Sequence, residues 1–348
     1  MAYSFASDNA APVHPKIMAA ISACNEGFVP PYGTDELSRR LNQAYSDVFE
    51  HDTYVFPVAS GTAANGLALG SVTPPHGVVL CHELSHIVLS EAGAVEFFSG
   101  GCRLVQLPGQ DARLSAQTLT SALSGYGPSQ LHQMQAAAIS LTQATDRGTV
   151  YTLEQLRELA GVARAAGLKL HMDGARFANA LVHVDASPAD MTWKSGVDIV
   201  SFGTTKNGTM MAEAVLCFDK TTAEVVRHRH KRAGSLHSKM RYFAAQLLAY
   251  IENDLWLDNA RAANRTAQWI AERLEATPGI ALAHPVEANQ IFAHIADGPR
   301  SALKTAGLEL RSWGSAGSDL CRLVTSYCDP EDLCARLMSA LDAAPNKA

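Results

Sequence analysis

The sequence predicts an α/β fold, and three observations carry that expectation. Short apolar strands alternate with helical stretches over most of the first two-thirds of the 348 residues, the rhythm of βαβ units. The ends of those strands are polar and glycine-punctuated, as expected where ligands bind outside an open α/β sheet. Past Lys220 the pattern becomes helical and closes in a smaller α+β region. The chain divides on this basis into an N-terminal arm over 1–14, a large domain over 15–250 and a small C-terminal domain over 251–348.

Composition bounds the function. With 47% hydrophobic and 18% charged residues the chain is globular. A net charge of −6 leaves no electrostatic footprint for nucleic acid or an anionic membrane. The opening MAYSFASDNAAPVHPK lacks a basic-then-apolar signal pattern, and no apolar run is long enough to span a bilayer. Seven scattered cysteines without CxxC spacing read as small buried hydrophobes in a reducing cytoplasm.

Taken in order, the polar Phe5-Ala6-Ser7-Asp8-Asn9 precedes a helix from Pro15 to about Cys24. Gly27 to Gly33, containing Pro30-Pro31-Tyr32-Gly33, is a loop. Leu37, Leu41, Tyr45 and Val48 recur at three- and four-residue spacing, which predicts a helix from Thr34. Tyr54 to Val58 is a strand running into Ser60-Gly61-Thr62 and a helix rich in alanine and leucine. Unpaired N–H groups at that helix start can bind an anion; a plain N-cap without a ligand is the alternative.

Val78 to Cys81 is the next strand, followed by His82-Glu83-Leu84-Ser85-His86 and a helix start over His86 to Gly93. The two histidines are four residues apart with no third ligand nearby, which argues against zinc, and no metal is expected. A flat imidazole at a strand end can stack on a planar cofactor, with a satisfied structural histidine as the alternative. A strand over Arg103 to Leu107 precedes a polar stretch to about Met134. Ala136 to Leu141 is a strand whose polar end, Thr142 to Thr149, suits a site-lining loop. Thr152 with Gln155 caps a helix that Gly167 closes.

Leu168 to Met172 is a strand ending in Asp173-Gly174-Ala175-Arg176. A carboxylate directly after a buried strand stays ionised only against something positive, such as a protonated ring nitrogen. Ser187 and Pro188 open a helix that Gly196 closes. Val197 to Phe218 then reads as strand, turn and strand, with Lys206 in the turn among Thr204, Thr205 and Gly208. A lysine held between core strands can lose its proton and form a Schiff base with an aldehyde; a surface lysine in a hairpin is the alternative.

Arg227 to Arg232 is a basic run on a helix. Its side chains point in all directions without an aromatic platform, which reads as a solvated or subunit-contacting face. Helices follow over Lys239 to Tyr250 and Trp256 to Ala276. Ala288 to Ile295 and Asp319 to Thr325 are strands, and Pro330 to Leu341 is a final helix.

The ordered set Ser7-Asp8-Asn9, Tyr32-Gly33, Ser60-Gly61-Thr62-Ala63-Ala64-Asn65, His86 with Glu91-Ala92-Gly93, Thr142-Gln143-Ala144-Thr145, His171 to Arg176, Phe202 to Gly208 and Arg322 resembles the fold-type-I pyridoxal-phosphate enzymes. More narrowly, it is similar to the low-specificity L-threonine aldolases, including phenylserine aldolases. The resemblance covers nearly the whole chain. It implies a large domain with a mostly parallel seven-stranded sheet between helices, plus a small α+β domain. It also implies retro-aldol cleavage of L-β-hydroxy-α-amino acids to glycine and an aldehyde. β-Elimination or transamination on the same scaffold is the alternative.

By the same resemblance, Lys206 would hold pyridoxal phosphate covalently, Asp173 would pair with its ring nitrogen, and His86 would stack on its face. Ser60, Gly61, Thr62 and the Thr205 hydroxyl would bind the phosphate. Ser7, Arg176 and Arg322 would clamp the substrate carboxylate, Arg176 facing the cofactor as well, with Tyr32 also on the substrate side. Many threonine aldolases carry a second histidine in the loop after the strand that ends here at Leu141; this chain has Thr142-Gln143-Ala144-Thr145 there. The base for the β-hydroxyl is then His86 or a water it orients. The resemblance further implies a homotetramer, a dimer of dimers, with a neighbouring subunit's Lys239, or Lys231, reaching the phosphate.

Overall fold

In the computed structural model of the chain, residues 3–126, 132–315 and 317–343 are described. The strands are β1 (Tyr3–Ser4), β2 (Tyr54–Val58), β3 (Gly77–His82), β4 (Arg103–Leu107), β5 (Gln135–Thr142), β6 (Lys169–Gly174), β7 (Ile199–Phe202), β8 (Glu213–Cys217), β9 (Ile280–Leu282), β10 (Gln290–Ile295), β11 (Leu308–Glu309), β12 (Arg311–Ser312) and β13 (Leu320–Val324). Seven of them form the main sheet in the order β2-β8-β7-β6-β5-β3-β4. β8 runs antiparallel to both neighbours, and the other pairings are parallel. The mostly parallel seven-stranded sheet implied by the resemblance is therefore present.

Burial explains why these runs are strands. β3, β6, β7 and β8 are buried on both faces, so they read as continuous apolar runs rather than alternating ones. Asp173 is the penultimate residue of β6 and Lys206 lies just beyond β7. Because β6 and β7 are adjacent and parallel, both residues arrive at the same edge of the sheet. The first helices are α1 (Pro15–Ala23), α2 (Glu36–Phe49) and α3 (Gly61–Val72). α3 packs across β6, β7 and β8 and brings its N-terminus to that edge.

Beneath the lysine turn lies an aromatic cluster. Phe202 meets Phe177 at 5.5 Å, Tyr45 at 5.7 Å, Trp256 at 5.8 Å and Tyr250 at 6.2 Å between ring centres. Each ring removes a large apolar area from water, so this is a rigid floor. The β6 and β7 ends also approach closely: a Cβ added at Gly203 would fall 2.5 Å from the Ala175 carbonyl oxygen. Gly203→Ala is expected to lower stability by about 1–3 kcal/mol through overpacking against backbone that cannot yield, read as a lower urea midpoint at unchanged slope.

The second sheet is antiparallel, in the order β12-β13-β10-β9, over its own core of residues such as Ile291, Leu323, Leu303 and Leu337. The N-terminal residues belong to this layer. β1 pairs with β11 in parallel, Phe5 is buried in the C-terminal core, and the Val324 amide donates to the Phe5 carbonyl at 2.9 Å.

Three elements differ from the sequence reading. The N-cap of α2 is Asp35, whose carboxylate accepts from the Ser38 amide at 2.9 Å, not Thr34. His86 to Gly93 is a single turn, His86–Leu89, broken before a second helix at Ala94–Ser99, with Ala92 and Gly93 at positive φ. The break turns Glu91 inward, and the site uses it. The last helix spans Leu333–Asp342. The polar stretch before Met134 contains a helix, Ala116–Leu123, and its residues 127–131 lie outside the described residues. All seven cysteines are free; Cys81, Cys102, Cys217 and Cys321 are buried, Cys24 and Cys334 half-buried, and Cys328 is exposed rather than internal.

Candidate active site

A cavity of about 400 Å³ opens at the edge where β5, β6 and β7 end, within the range of small-molecule sites. Ser7, Ser60, Gly61, Thr62, His86, Asp146, Arg176, Thr205, Lys206, Glu213 and Arg322 line it, with Met210 and Met211 at its rim. Nine of the residues singled out from the sequence meet there, from six separate stretches of chain.

The anion end is built by α3. Ser60 is its N-cap, its hydroxyl accepting from the Ala63 amide at 3.2 Å. Among the described residues none accepts from the Gly61 or Thr62 amide. A Cβ at Gly61 would meet nothing within 4 Å, so these donors face open space. That is the arrangement that favours a phosphate at a helix N-terminus.

One hydrogen-bonded chain organises the ring end. Asn65, one turn into α3, donates through Nδ2 to Asp173 Oδ2 at 3.0 Å and to Glu91 Oε1 at 2.8 Å. His86 Nδ1 meets the same Glu91 oxygen at 2.7 Å. Asp173 Oδ1 accepts from the Ala175 amide at 3.0 Å. The Glu91 hydrogen bond raises the His86 pKa against the opposing effect of burial, and Asp173 and Asp146 add to the rise. His86 thus keeps a proton on Nδ1 and carries positive charge readily.

Two other histidines are structural. His82 engages the Gly109 carbonyl at 3.1 Å and the Leu84 amide at 3.0 Å, which occupies both ring nitrogens away from His86. His171 is sealed between Ser140 and Ser201, each at 2.9 Å, and burial lowers its pKa to about 4. Among the described residues no group of His, Cys, Asp and Glu is arranged to hold a metal ion.

The lysine turn is pinned from below. Lys206 lies in a short 3₁₀ turn, Thr205–Asn207. Asn207 Nδ2 donates to the Tyr250 hydroxyl at 2.7 Å and the Trp256 carbonyl at 2.8 Å. Asn259 holds the Asn207 carbonyl at 2.9 Å, and Glu213 accepts from the Thr204 amide at 2.6 Å. With the backbone fixed on both sides, the Lys206 side chain is aimed into the cavity.

The arginines have unequal freedom. Arg176 donates through Nε and Nη2 to Asp8, each at 2.8 Å, and Asn289 adds a third hydrogen bond to Asp8 at 3.0 Å. Burial works against the Asp8 charge, but Arg176 and Lys206 outweigh it and hold its pKa below the ordinary carboxylate range. Arg322 spends one N–H on the Ala6 carbonyl at 2.7 Å, leaves Nε without a partner, and stacks 4.3 Å from the Trp313 ring centre. Arg322 is therefore the more open receptor for a carboxylate.

Two residues named from the sequence are elsewhere. Lys239 is exposed and outside the cavity wall. Tyr32 is half-exposed, its ring covered by Lys231 at 4.7 Å and its amide donating to the Ser238 carbonyl at 3.0 Å. Conversely, Asp8, Asp146 and Glu213 join the site without having been assigned roles. A carboxylate in a polar strand-end loop was the available signal for Asp146.

Comparison with known proteins follows this geometry. The profile of the beta-eliminating lyases matches residues 4–298. The chain belongs to the beta-eliminating lyase family. Within the lyases it is 39% identical to a low specificity L-threonine aldolase of Pseudomonas aeruginosa, over 87% of each chain. It is 35% identical to one from another Pseudomonas strain, over 97% of this chain and 98% of that one. A solved threonine aldolase of Leishmania major superposes with a TM-score of 0.90 at 28% identity, covering 98% of both chains. The fold is that of the fold-type-I lyases, and the site residues fit the cofactor that the sequence resemblance implies. The open amides at Gly61 and Thr62 suit a phosphate, and Asp173, held as an acceptor on both oxygens, suits a ring nitrogen that keeps its proton.

Proposed function

We propose that the chain is a pyridoxal-phosphate-dependent aldehyde-lyase. It cleaves L-threonine, L-allo-threonine and L-phenylserine to glycine and the corresponding aldehyde. The observation that carries this reading is the convergence of Lys206, His86, the Ser60–Thr62 amide cradle and Arg322 on one cavity, with Asp173 tied to His86 through Asn65 and Glu91.

When bound, the cofactor supplies an electron sink for the pair released when the Cα–Cβ bond breaks. Lys206 would hold it covalently through its amine. Asp173 would pair with the ring nitrogen, Gly61, Thr62, Ser60 and Thr205 would bind the phosphate, and His86 would stack on the ring. Arg322, with Ser7 and the remaining N–H groups of Arg176, holds the α-carboxylate and so selects α-amino acids. Glu213 remains close to the amine: burial raises its pKa, while Lys206 and the Thr204 and Thr205 hydrogen bonds oppose the rise.

Lys239 and Tyr32 then serve a neighbouring subunit's site in a homotetramer with shared active sites. The exposed Phe28 and Tyr32, with Met210 and Met211 exposed at the cavity rim, support a chain–chain contact. No helix among the described residues is long and apolar enough to cross a membrane, which fits a cytoplasmic enzyme of amino-acid metabolism. Incubation with L-phenylserine is expected to release equimolar glycine and benzaldehyde. Cofactor uptake with pyruvate and ammonia from L-serine, but no glycine from phenylserine, would favour β-elimination, the reaction after which the matching family is described.

A further inference from the structure

We infer that Asp146 is the catalytic base that takes the proton of the substrate's β-hydroxyl, an assignment that rests on the aldolase reading above. Asp146 lines the cavity in the company of His86, Arg176, Lys206 and Arg322. Its Oδ2 is shielded from solvent and has no hydrogen-bond partner among the described residues. A shielded carboxylate oxygen left unpaired is costly, so it marks a place where a ligand donor belongs.

The loop that presents it is built rigidly. Gln143 clamps Tyr151 in both directions at 3.0 Å, its Nε2 donating to the Tyr151 carbonyl and its Oε1 accepting from the Tyr151 amide. Thr145 and Thr149 close the turn through the Thr145 amide and Thr149 carbonyl at 2.8 Å and through their hydroxyls at 2.7 Å. Gly148 adopts a φ of +77° and packs so tightly that a Cβ there would fall 2.7 Å from the Gln290 carbonyl oxygen. The hydroxyls of Thr145 and Thr149 and the amide of Gln143 are spent on holding the turn's shape, whereas among the described residues Asp146 Oδ2 and the neighbouring Arg147 Nη1 have no partner.

The other groups in the cavity are less suited to accept a proton. Asp8 is engaged by Arg176 and Asn289, and Glu213 by the Thr204 amide. His86 has Nδ1 engaged by Glu91 at 2.7 Å, a hydrogen bond that raises its pKa, and it is already assigned above to stack on the cofactor ring. Asp146 faces Asp173 on one side, and His86, Arg176, Lys206, Arg147 and Arg322 on the others. Burial and the Asp173 charge outweigh the cations and lift its pKa to about 6. It is thus mostly ionised at neutral pH yet a stronger base than an ordinary aspartate.

The step balances simply. The β-hydroxyl proton moves to Asp146 Oδ2, and the O–H pair becomes the second bond of the aldehyde carbonyl. The Cα–Cβ pair stays with the glycine fragment. After the aldehyde departs, a proton is returned to Cα and Asp146 releases its own to solvent, restoring the starting charge. The loop read from sequence as lacking a second histidine supplies a carboxylate for the same task.

The test uses the full chain carrying pyridoxal phosphate, in wild type, Asp146→Asn and Asp146→Glu. Asp146→Asn is expected to cut phenylserine cleavage by about 10²–10⁴-fold and to abolish the acid limb of the kcat/KM profile. Cofactor absorbance and exchange of the glycine α-proton, which needs no hydroxyl base, are retained, and Asp146→Glu restores part of the cleavage. Independently of turnover, ¹³C-carboxyl NMR of labelled protein is expected to show a titration with midpoint near 6 that is missing in Asp146→Asn. Unchanged cleavage with an unchanged acid limb would overturn the assignment, as would loss of glycine exchange in proportion to cleavage. A wild type that binds cofactor but forms no glycine from phenylserine overturns the aldolase reading itself, and this role with it.

Discussion

Lys206→Ala is expected to abolish turnover, reducing kcat by more than about 10³-fold, because one side chain supplies both the covalent anchor and a proton-transfer group. The absorption band of the covalently held cofactor should vanish, and borohydride should no longer fix pyridoxal phosphate to the protein. The fold is expected to survive, since the turn is held by Asn207, Asn259 and Glu213 rather than by the lysine itself. Far-ultraviolet circular dichroism that matches wild type, with turnover also at the wild-type level, would remove the central assignment.

Asp173→Asn comes next in size. The substitution keeps the shape but removes the charge proposed above to face the ring nitrogen. Loss of one partner of a buried ion pair costs about 3–5 kcal/mol, which corresponds to roughly a 10²–10⁴-fold weaker hold on the cofactor. Fluorescence titration with pyridoxal phosphate would measure it. An asparagine there also sets a donor against Asn65 Nδ2, so the Asn65–Glu91–His86 chain is expected to loosen. The His86 pKa should then fall, because Asp173 contributes to its rise. NMR of the imidazole ring reads that shift directly, with a fall as the expected sign and no change as the failing one.

Much of this site was legible from sequence because its parts stand where strands end. An apolar run that stops at Asp173 or at Gly203 announces both the strand and the residue it delivers. The Ser60–Thr62 junction was similarly plain, since a strand followed by small hydroxyl and glycine residues leaves amides unpaired. The long helix Leu255–Glu275 and the Thr152–Gln155 capping box followed from periodicity and capping chemistry.

What stayed hidden depends on contacts across the chain. Nothing local says that Asp8 grips Arg176 at a separation of 168 residues, and that grip decides which arginine is open to substrate. Glu91 could be quoted as part of a motif, yet its role needs the helix break at Ser90 to Gly93, which periodicity read as continuous helix. Asp146 carries no local signature either, since a carboxylate in a polar loop reads as solvated until the fold brings Asp173 and the cavity against it. Tyr32 and Lys239 lie on the exposed surface outside the cavity wall, and no local pattern fixes what they touch.

The stitching of β1 and Phe5 into the C-terminal layer has a consequence for the order of biosynthesis. Arg322 lies on β13, among the last strands to emerge during translation, and the Ser7 end of the chain depends on that layer for its seat. A ribosome-bound chain can complete the lysine turn and the amide cradle while still lacking its carboxylate anchor. In such an unfinished chain the carboxylate receptor would be the last part of the site to arrive, so amino-acid turnover is expected to wait until the polypeptide is whole.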